Sequence, residues 1–172
     1  MFLKRKPIRL KNYNYSLPSY YYITVCTQKH RCFFTEYKSL KNIVKKEWEL
    51  IPKQFTNTKL DEFVVMPNHL HGIIIIKPNH RATARVAPTL GNIIGSFKSR
   101  STNKWLKYIE KHKINTIGKI WQRNYYEHII RNKTSLKIIK QYIQENPLKW
   151  KHDKLNPHHI RRGDPCGRPI QW

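Results

Sequence analysis

Acidic residues are scarce in this chain: 10 Asp and Glu stand against 34 Lys and Arg in 172 residues, which gives a formal net charge of +24. A compact fold with that imbalance repels itself unless a polyanion offsets the charge. Ten Tyr and five Trp are interleaved with the basic residues. Cations for phosphates and rings for bases are typical of proteins that bind single-stranded nucleic acid. A ribosome-associated or generally basic protein has the same composition.

Cysteine and long apolar runs are also few. Cys26, Cys32 and Cys166 are odd in number and form no CxxC pair, which disfavours a zinc ribbon and a disulfide framework. No apolar run reaches the roughly 18 residues of a membrane span. Residues 1–10 lack the continuous apolar segment of a signal peptide. We therefore expect a reducing, cytoplasmic setting and no membrane partner.

Residues 61–76, DEFVVMPNHLHGIIII, contain two apolar runs separated by Pro67 and Asn68. Val- and Ile-rich runs around a turn signal predict two strands of a hairpin. Strand alternation then places His69 and His71 on one face, about 6.6 Å apart, whereas a helix would turn them about 200° apart. The pair could be half of a metal site, or two surface histidines on the open face of a sheet.

Hydrophobic periodicity predicts the remaining elements. Strands are expected over 20–27 and 120–130. A first helix has its apolar stripe from Leu40 to Ile51 and ends at Pro52, and a second begins at Pro88-Thr89 and could be broken in two by the polar segment 99–103. A last helix is expected over 134–145, capped by Thr134 or Ser135. The order βαββαβα predicts an α+β, ferredoxin-like antiparallel sheet with helices on one face, followed by a further C-terminal helix.

The chain is expected to form one domain, residues 1–150, with a basic, flexible C-terminal tail at 151–172. The tail is rich in Pro, Gly and Arg, and the loop 77–88 is polar and basic. Neither segment contains a pattern that indicates a particular chemistry.

The last helix supplies groups that a metal site would need. Tyr142 lies one turn before Asn146 (or Glu145), on a stripe distinct from the apolar one. A tyrosine facing two imidazoles could act as a nucleophile beside a metal ion that polarises a phosphate. It could equally be an ordinary half-buried tyrosine. On chemistry alone, Tyr125 and Tyr126 compete for the same role.

Four blocks of the chain, in order from Arg9 to Trp150, resemble the REP-associated tyrosine transposases of the single-tyrosine HUH superfamily. The blocks are RLKNYNYSLPSYYYITVCT, VVMPNHLHGIIII, WQRNYYEHIIRN and QYIQENPLKW. The resemblance implies a ferredoxin-like fold that binds single-stranded or hairpin DNA and cleaves one strand. It further implies that Tyr142 is the nucleophile, leaving a 5′-phosphotyrosine, and that His69, His71 and Asn146 bind a divalent metal ion, Mg²⁺ or Mn²⁺.

The sequence thus predicts a metal-dependent single-strand DNA endonuclease and strand transferase of a bacterial, nucleoid-associated type, acting as a monomer or homodimer. Two alternatives stay open: a non-catalytic binder of single-stranded DNA or RNA, and a hydrolytic metal-dependent nuclease. Most basic residues would form only a solvated face, and His128 could be a structural histidine. Candidate DNA contacts are Arg9, Lys11, Lys98, Arg100, Arg123, His128 and Arg131.

Overall fold

The computed structural model describes residue 10, residues 12–78 and residues 88–157, so Arg9, Lys11, most of the loop 77–88 and the tail beyond residue 157 lie outside the described residues. The strands are β1 (Ser19–Cys26), β2 (Thr58–Val65), β3 (His69–Ile76) and β4 (Tyr126–Ile130). The helices are α1 (Phe33–Glu36), α2 (Lys38–Glu49), α3 (Ile51–Gln54), α4 (Leu90–Lys111) and α5 (Lys133–Glu145).

The four strands form one antiparallel sheet in the order β2-β3-β1-β4. The first and third strands are central, and each helical crossover connects strands that are not neighbours. This is the ferredoxin-like arrangement, so the predicted fold class is confirmed. Within the described ranges, no helix combines the length and the apolarity needed to cross a bilayer.

The pleat of the central strands separates two apolar clusters on opposite faces of the sheet. On one face, Ile23 and Leu70 join the main core with Trp48 of α2 and Phe97 and Trp105 of α4. The second, smaller cluster covers the other face, where helix α5 packs against the sheet. It consists of Tyr22, Ile73, Ile130, Ile139 and Ile143. The C-terminal helix is therefore placed on the same face as the odd-numbered residues of β3.

Gly72 shows how closely α2 approaches the sheet. A Cβ atom at this position would lie 2.5 Å from Cζ2 of Trp48 and 3.0 Å from Cβ of Phe63. Atoms at those distances overlap, so only glycine lets the Trp48 indole pack this closely on β3. The glycine that follows His71 thus serves the core on the far side of the strand.

The strand predicted over 120–130 is wrong in its first half, since β4 begins at Tyr126. Ile120 and Trp121 are buried, but they fill the main core from a loop, and Trp121 makes only an isolated bridge to Thr27. The indole Nε1 of Trp121 donates to the hydroxyl of Ser101 at 2.9 Å. The apolar and aromatic residues of this segment therefore indicate that it is buried, and not that it pairs as a strand.

The proposed break at 99–103 does not occur, because α4 is one helix of 22 residues. Ser101 is buried, and its hydroxyl donates to the backbone carbonyl of Phe97 at 2.8 Å, which satisfies the polar group inside the helix. Thr89 caps α4 and forms a capping box with Asn92.

Two helix boundaries also differ from the sequence prediction. Asn132, and neither Thr134 nor Ser135, caps α5, since its side chain accepts a hydrogen bond from the backbone N–H of Ser135 at 2.7 Å. Pro52 does not end the helical region but lies in the first turn of α3, where its missing N–H has no intrahelical partner to lose.

Candidate active site

The two histidines at the start of β3 meet through their ring nitrogens. Nε2 of His69 lies 2.9 Å from Nε2 of His71, and the ring planes make an angle of 67°. Both side chains are buried, with exposures of 0% and 3%. Strand alternation thus brings both imidazoles to one face, as the hairpin pattern predicts, and α5 covers that face.

Hydrogen bonds at the opposite ring nitrogens orient both imidazoles. The amide nitrogen of Asn68 donates to the carbonyls of His30 and Leu155, at 3.1 and 2.6 Å. The amide oxygen must therefore face Nδ1 of His69, 2.7 Å away, and accept its proton. The lone pair of His69 is consequently on Nε2, directed toward His71.

His71 is held from the neighbouring strand. Its Nδ1 lies 2.8 Å from the hydroxyl of Tyr22 and 2.9 Å from that of Thr24. Partners of this kind fix the ring orientation of a metal-binding histidine. Burial lowers the pKa of His71 to about 3. Burial, with His71 and His30, also lowers the pKa of His69 well below its ordinary value. Both imidazoles are therefore neutral at neutral pH, the form that binds metals.

Tyr142 reaches this pair from α5. Its ring centroid lies 5.5 Å from that of His71 and 6.3 Å from that of Tyr22. Helix α5 is seated by Ile139 and Ile143 in the smaller cluster. It is also held by an ion pair of 2.8 Å between Lys140 and Asp61 of β2. The nucleophile predicted from the sequence thus lies beside the predicted metal-binding histidine.

The hydroxyl of Tyr142 is protonated at neutral pH. Burial and the carboxylate of Asp153 raise its pKa above the ordinary value, against the opposite effect of side-chain hydrogen bonds with Asn146 and Tyr22. Those two hydrogen bonds favour the phenolate form. The tyrosine must therefore lose its proton during any attack, and Asn146 and Tyr22 help it to do so.

Asn146 follows the last residue of α5 and is buried, with 3% exposure. Its side-chain oxygen Oδ1 has no hydrogen-bond donor among residues 12–78 and 88–157. A buried, unpaired carbonyl oxygen costs about 1–3 kcal/mol. A cation that accepts this oxygen as a ligand would remove the cost, which fits the metal-binding role predicted for Asn146.

Asp153 also lies at the candidate site, and no pattern in the sequence predicted it there. Its Oδ2 lies 3.7 Å from Nε2 of His69, and ligand atoms of His69, His71 and Asp153 lie within 4.8 Å of one another. The residue belongs to the segment predicted as a tail. The only sequence signal is one carboxylate within a run of Lys and His, KHDK, and no spacing connects it to β3.

The segment around Asp153 packs on the site. Residues Trp150–His152 form a short 3₁₀ helix, the Trp150 ring lies 6.1 Å from that of His69, and Asn156 is buried. The domain boundary after residue 150 stays a prediction, but residues 151–157 belong structurally to the site.

Residues 16–146 match the family model described as IS200-like transposase. The chain belongs to this transposase family. It is 39% identical to an uncharacterised protein of Haemophilus influenzae, over 88% of this chain and 92% of that protein. A solved structure of a REP-associated tyrosine transposase bound to a REP hairpin is similar in fold, with a TM-score of 0.55 and 19% identity, over 85% of this chain and 76% of that one. The transposase family expected from the four sequence blocks is therefore confirmed.

Two candidate DNA contacts of this IS200-like transposase have partners inside the protein. Nζ of Lys98 donates to the carbonyls of Gln122, Arg123 and Asn124 at 2.8, 3.2 and 3.0 Å, and so holds the loop before β4. Nε of Arg100 donates to Glu47 of α2 at 2.8 Å. Both side chains therefore contribute to the fold, whatever further contact they make.

The other candidates are distributed around β4. Arg123 is exposed in the loop before this strand, and Arg131 is exposed directly after it. His128 pairs with Tyr22 across the strands, two residues along β1 from Thr24, and burial and then Arg131 lower its pKa. Tyr125 packs against the main core, and Tyr126 pairs with Thr24. Of the three tyrosines that compete on chemistry, Tyr142 has the ring contact with His71.

Proposed function

We propose that this transposase is a metal-dependent endonuclease and strand transferase for single-stranded or hairpin DNA, acting through a 5′-phosphotyrosine at Tyr142. The observation that carries the proposal is the meeting of Tyr142 with His71 at a buried centre that also contains His69, Asn146 and Asp153. A nucleophile and a set of metal-binding groups at one place are what the cleavage of a phosphodiester requires.

The donor set fits a divalent cation. His69, His71, Asn146 and Asp153 would provide two imidazole nitrogens and two oxygen donors. Oxygen ligands suit both Mg²⁺ and Mn²⁺. Of these two ions, Mn²⁺ is the better match for imidazole nitrogen. When bound, such an ion supplies a Lewis acid that polarises the scissile phosphate.

The remaining chemistry belongs to the side chains. The hydroxyl oxygen of Tyr142 attacks the phosphorus, and the bond to the 3′ oxygen breaks. The tyrosine loses its proton in this step, and the departing 3′ oxygen gains one to become a free 3′-hydroxyl. The hydrogen bonds of Asn146 and Tyr22 stabilise the negative charge that develops on the phenol oxygen. Because the covalent phosphotyrosine retains the bond energy, a 3′-hydroxyl can reverse the step and join strands without a nucleotide cofactor.

The charge of the chain supports DNA as the partner. With a net charge of +24, we expect binding that weakens steeply with salt. Two exposed arginines are candidates for phosphate contacts, Arg123 in the loop before β4 and Arg131 directly after it. The similar solved transposase is bound to a REP hairpin, and we propose a hairpin or single strand as the ligand here. The protein would then act at the bacterial nucleoid. Because one chain contains both the histidines and the tyrosine, a monomer suffices for the first cleavage.

The decisive experiment incubates the protein with an end-labelled, single-stranded hairpin oligonucleotide and Mn²⁺. We expect a labelled protein adduct that survives SDS and that Tyr142→Phe abolishes. Tyr126→Phe, a tyrosine on the same sheet face, is the matched control and should retain the adduct.

Other outcomes point to the alternatives. Cleavage without an adduct would replace the proposal by a hydrolytic nuclease in which water attacks. Binding without cleavage, unchanged by a chelator, would replace it by a non-catalytic binder of single strands.

A further inference from the structure

Asn68, in the turn between β2 and β3, connects three separate parts of the chain. It is fully buried. Its side-chain oxygen faces Nδ1 of His69 at 2.7 Å, and its nitrogen donates to the carbonyls of His30 and Leu155 at 3.1 and 2.6 Å. Its backbone carbonyl accepts two further hydrogen bonds, from the amide and the hydroxyl of Thr27, both at 2.9 Å. A residue held at so many points cannot move independently of its neighbours.

The Leu155 carbonyl belongs to a closed turn that presents Asp153. One carboxylate oxygen of Asp153, Oδ1, accepts from the amide of Leu155 at 2.7 Å. The backbone carbonyl of Asp153 accepts from the amide of Asn156 at 3.0 Å, and the Asn156 side chain donates to the carbonyl of Trp150 at 3.1 Å. Because Oδ1 is held in this way, Oδ2 is the oxygen that faces His69, at 3.7 Å.

We infer that Asn68 is a positioning residue that joins this C-terminal turn to the histidine pair, so that Asp153 becomes a ligand of the proposed metal ion. One end of the amide orients His69, and the other end holds the turn that carries the carboxylate. The two ends of one planar group thus place two donors, from β3 and from the chain after α5, at one centre. This inference rests on the proposed function.

Asn68→Asp separates the two roles. A carboxylate keeps an oxygen that accepts from Nδ1 of His69, but it has no N–H to donate to Leu155 or His30, and it places oxygen against both carbonyls. The orientation of His69 should therefore persist while the turn is released. Asp153→Ala removes the carboxylate and leaves Asn68 in place. Asn103→Asp makes the same charge change on an exposed position of α4, on the other face of the sheet, and is the control.

Titration calorimetry with Mn²⁺ alone, on the full chain without DNA, measures the coupling. We expect Asn68→Asp and Asp153→Ala each to raise the Kd by about tenfold or more. We expect the double variant to bind no more than about threefold more weakly than Asp153→Ala alone, since Asn68 acts through Asp153. Asn103→Asp should bind as the unsubstituted protein does.

Hydrogen exchange of the metal-free proteins provides a second readout. Asn68→Asp should accelerate exchange at the amides of Leu155 and Asn156, with unchanged exchange in the centre of β3. This pattern distinguishes release of the turn from general unfolding.

Additive effects of the two substitutions on the Kd, or unchanged exchange at 155 and 156, would overturn the inference while the phosphotyrosine mechanism stands. Absence of Mn²⁺ binding by the unsubstituted protein would overturn the proposed metal site and this inference together.

Discussion

The ring of Tyr142 and the ring of His71 lie 5.5 Å apart, although one belongs to the last helix and the other to a central strand. Their approach depends on the smaller apolar cluster, in which Ile139 and Ile143 of α5 pack against Ile73 and Ile130 of the sheet. The position of Tyr142, the proposed nucleophile, is therefore set by packing and not by a flexible loop. Substitutions that alter the partners of either ring should change catalysis without unfolding the protein.

Tyr22→Phe tests the support of His71. The substitution removes the hydroxyl that lies 2.8 Å from Nδ1 of His71 and that bonds with Tyr142. We expect the Kd for Mn²⁺ to rise about tenfold, the usual scale for a partner of a metal ligand, and adduct formation to slow. Calorimetry and a time course of the adduct measure the two effects.

Tyr108→Phe is the matched control for that experiment. It also removes one phenol hydroxyl, in this case the acceptor of a 2.8 Å hydrogen bond from Ser39. It lies on α4, across the sheet from the site. Equal losses of Mn²⁺ affinity in the two variants would contradict a specific role for Tyr22.

Asn146→Ala and Asn146→Asp test the third predicted ligand. Alanine removes the unpaired buried oxygen, and we expect the Kd for Mn²⁺ to rise about tenfold or more. Aspartate restores an oxygen donor, so Mn²⁺ binding should recover toward the unsubstituted value. If the alanine variant binds Mn²⁺ as tightly as the unsubstituted protein does, Asn146 is not a ligand.

Gly72→Ala and Gly95→Ala should change stability in opposite directions. The added methyl at position 72 would lie 2.5 Å from the Trp48 ring, and we expect the free energy of unfolding to fall by about 1–3 kcal/mol. At position 95 in α4, the methyl would meet no heavy atom of the described residues within 4 Å apart from the adjacent residues and the backbone of its own helical turns. Helix propensity should then raise stability by about 0.5–1 kcal/mol. Urea unfolding measures both, and a gain at position 72 would contradict the close approach of α2.

The stability of the protein should depend on pH through Glu47. Burial raises the pKa of this carboxyl, but hydrogen bonds from Lys104 and Arg100 outweigh that effect, so the pKa lies below its ordinary value. The stabilisation is therefore complete above about pH 4.3, the ordinary value for glutamate, and is lost as the pH falls through the lowered pKa.

Glu47→Gln should accordingly lower the free energy of unfolding at pH 7, and the difference from the unsubstituted protein should shrink as the pH falls below about 4. Urea unfolding over a pH series measures this. Glu49→Gln, at an exposed position on the same helix, is the control. A difference that stays constant down to pH 3 would contradict the role of the ion pairs.

Residues close in sequence were the part of the site that could be predicted. The spacing of His69 and His71 indicates a shared face because strand alternation is a local rule. Tyr142 and Asn146 are one helical turn apart for an equally local reason, but the family resemblance, and not this spacing, indicated that they meet the histidines. Asp153 reaches the same centre only through the path of the chain after α5 and through the hydrogen bond of Asn68 to Leu155. No periodicity reports such a contact.

The errors in the predicted secondary structure have the same origin. Trp121 is of a residue type that favours strands, yet it is buried in the main core outside any strand and donates its N–H to Ser101. Ser101 looks like a helix breaker in the sequence, yet tertiary packing and a hydrogen bond to Phe97 retain it within α4. In both cases partners distant in sequence decided the local structure.

The alternation of β1 has a consequence for how the protein can vary. Ile23 and its odd-numbered neighbours serve the main core, whereas Tyr22 and Thr24 touch the histidine at the site. A map of tolerated substitutions along this strand should therefore show a period of two, with losses of expression at one parity and losses of cleavage at the other. Deleting a single residue within β1 would exchange the two sets, and would abolish both properties at once.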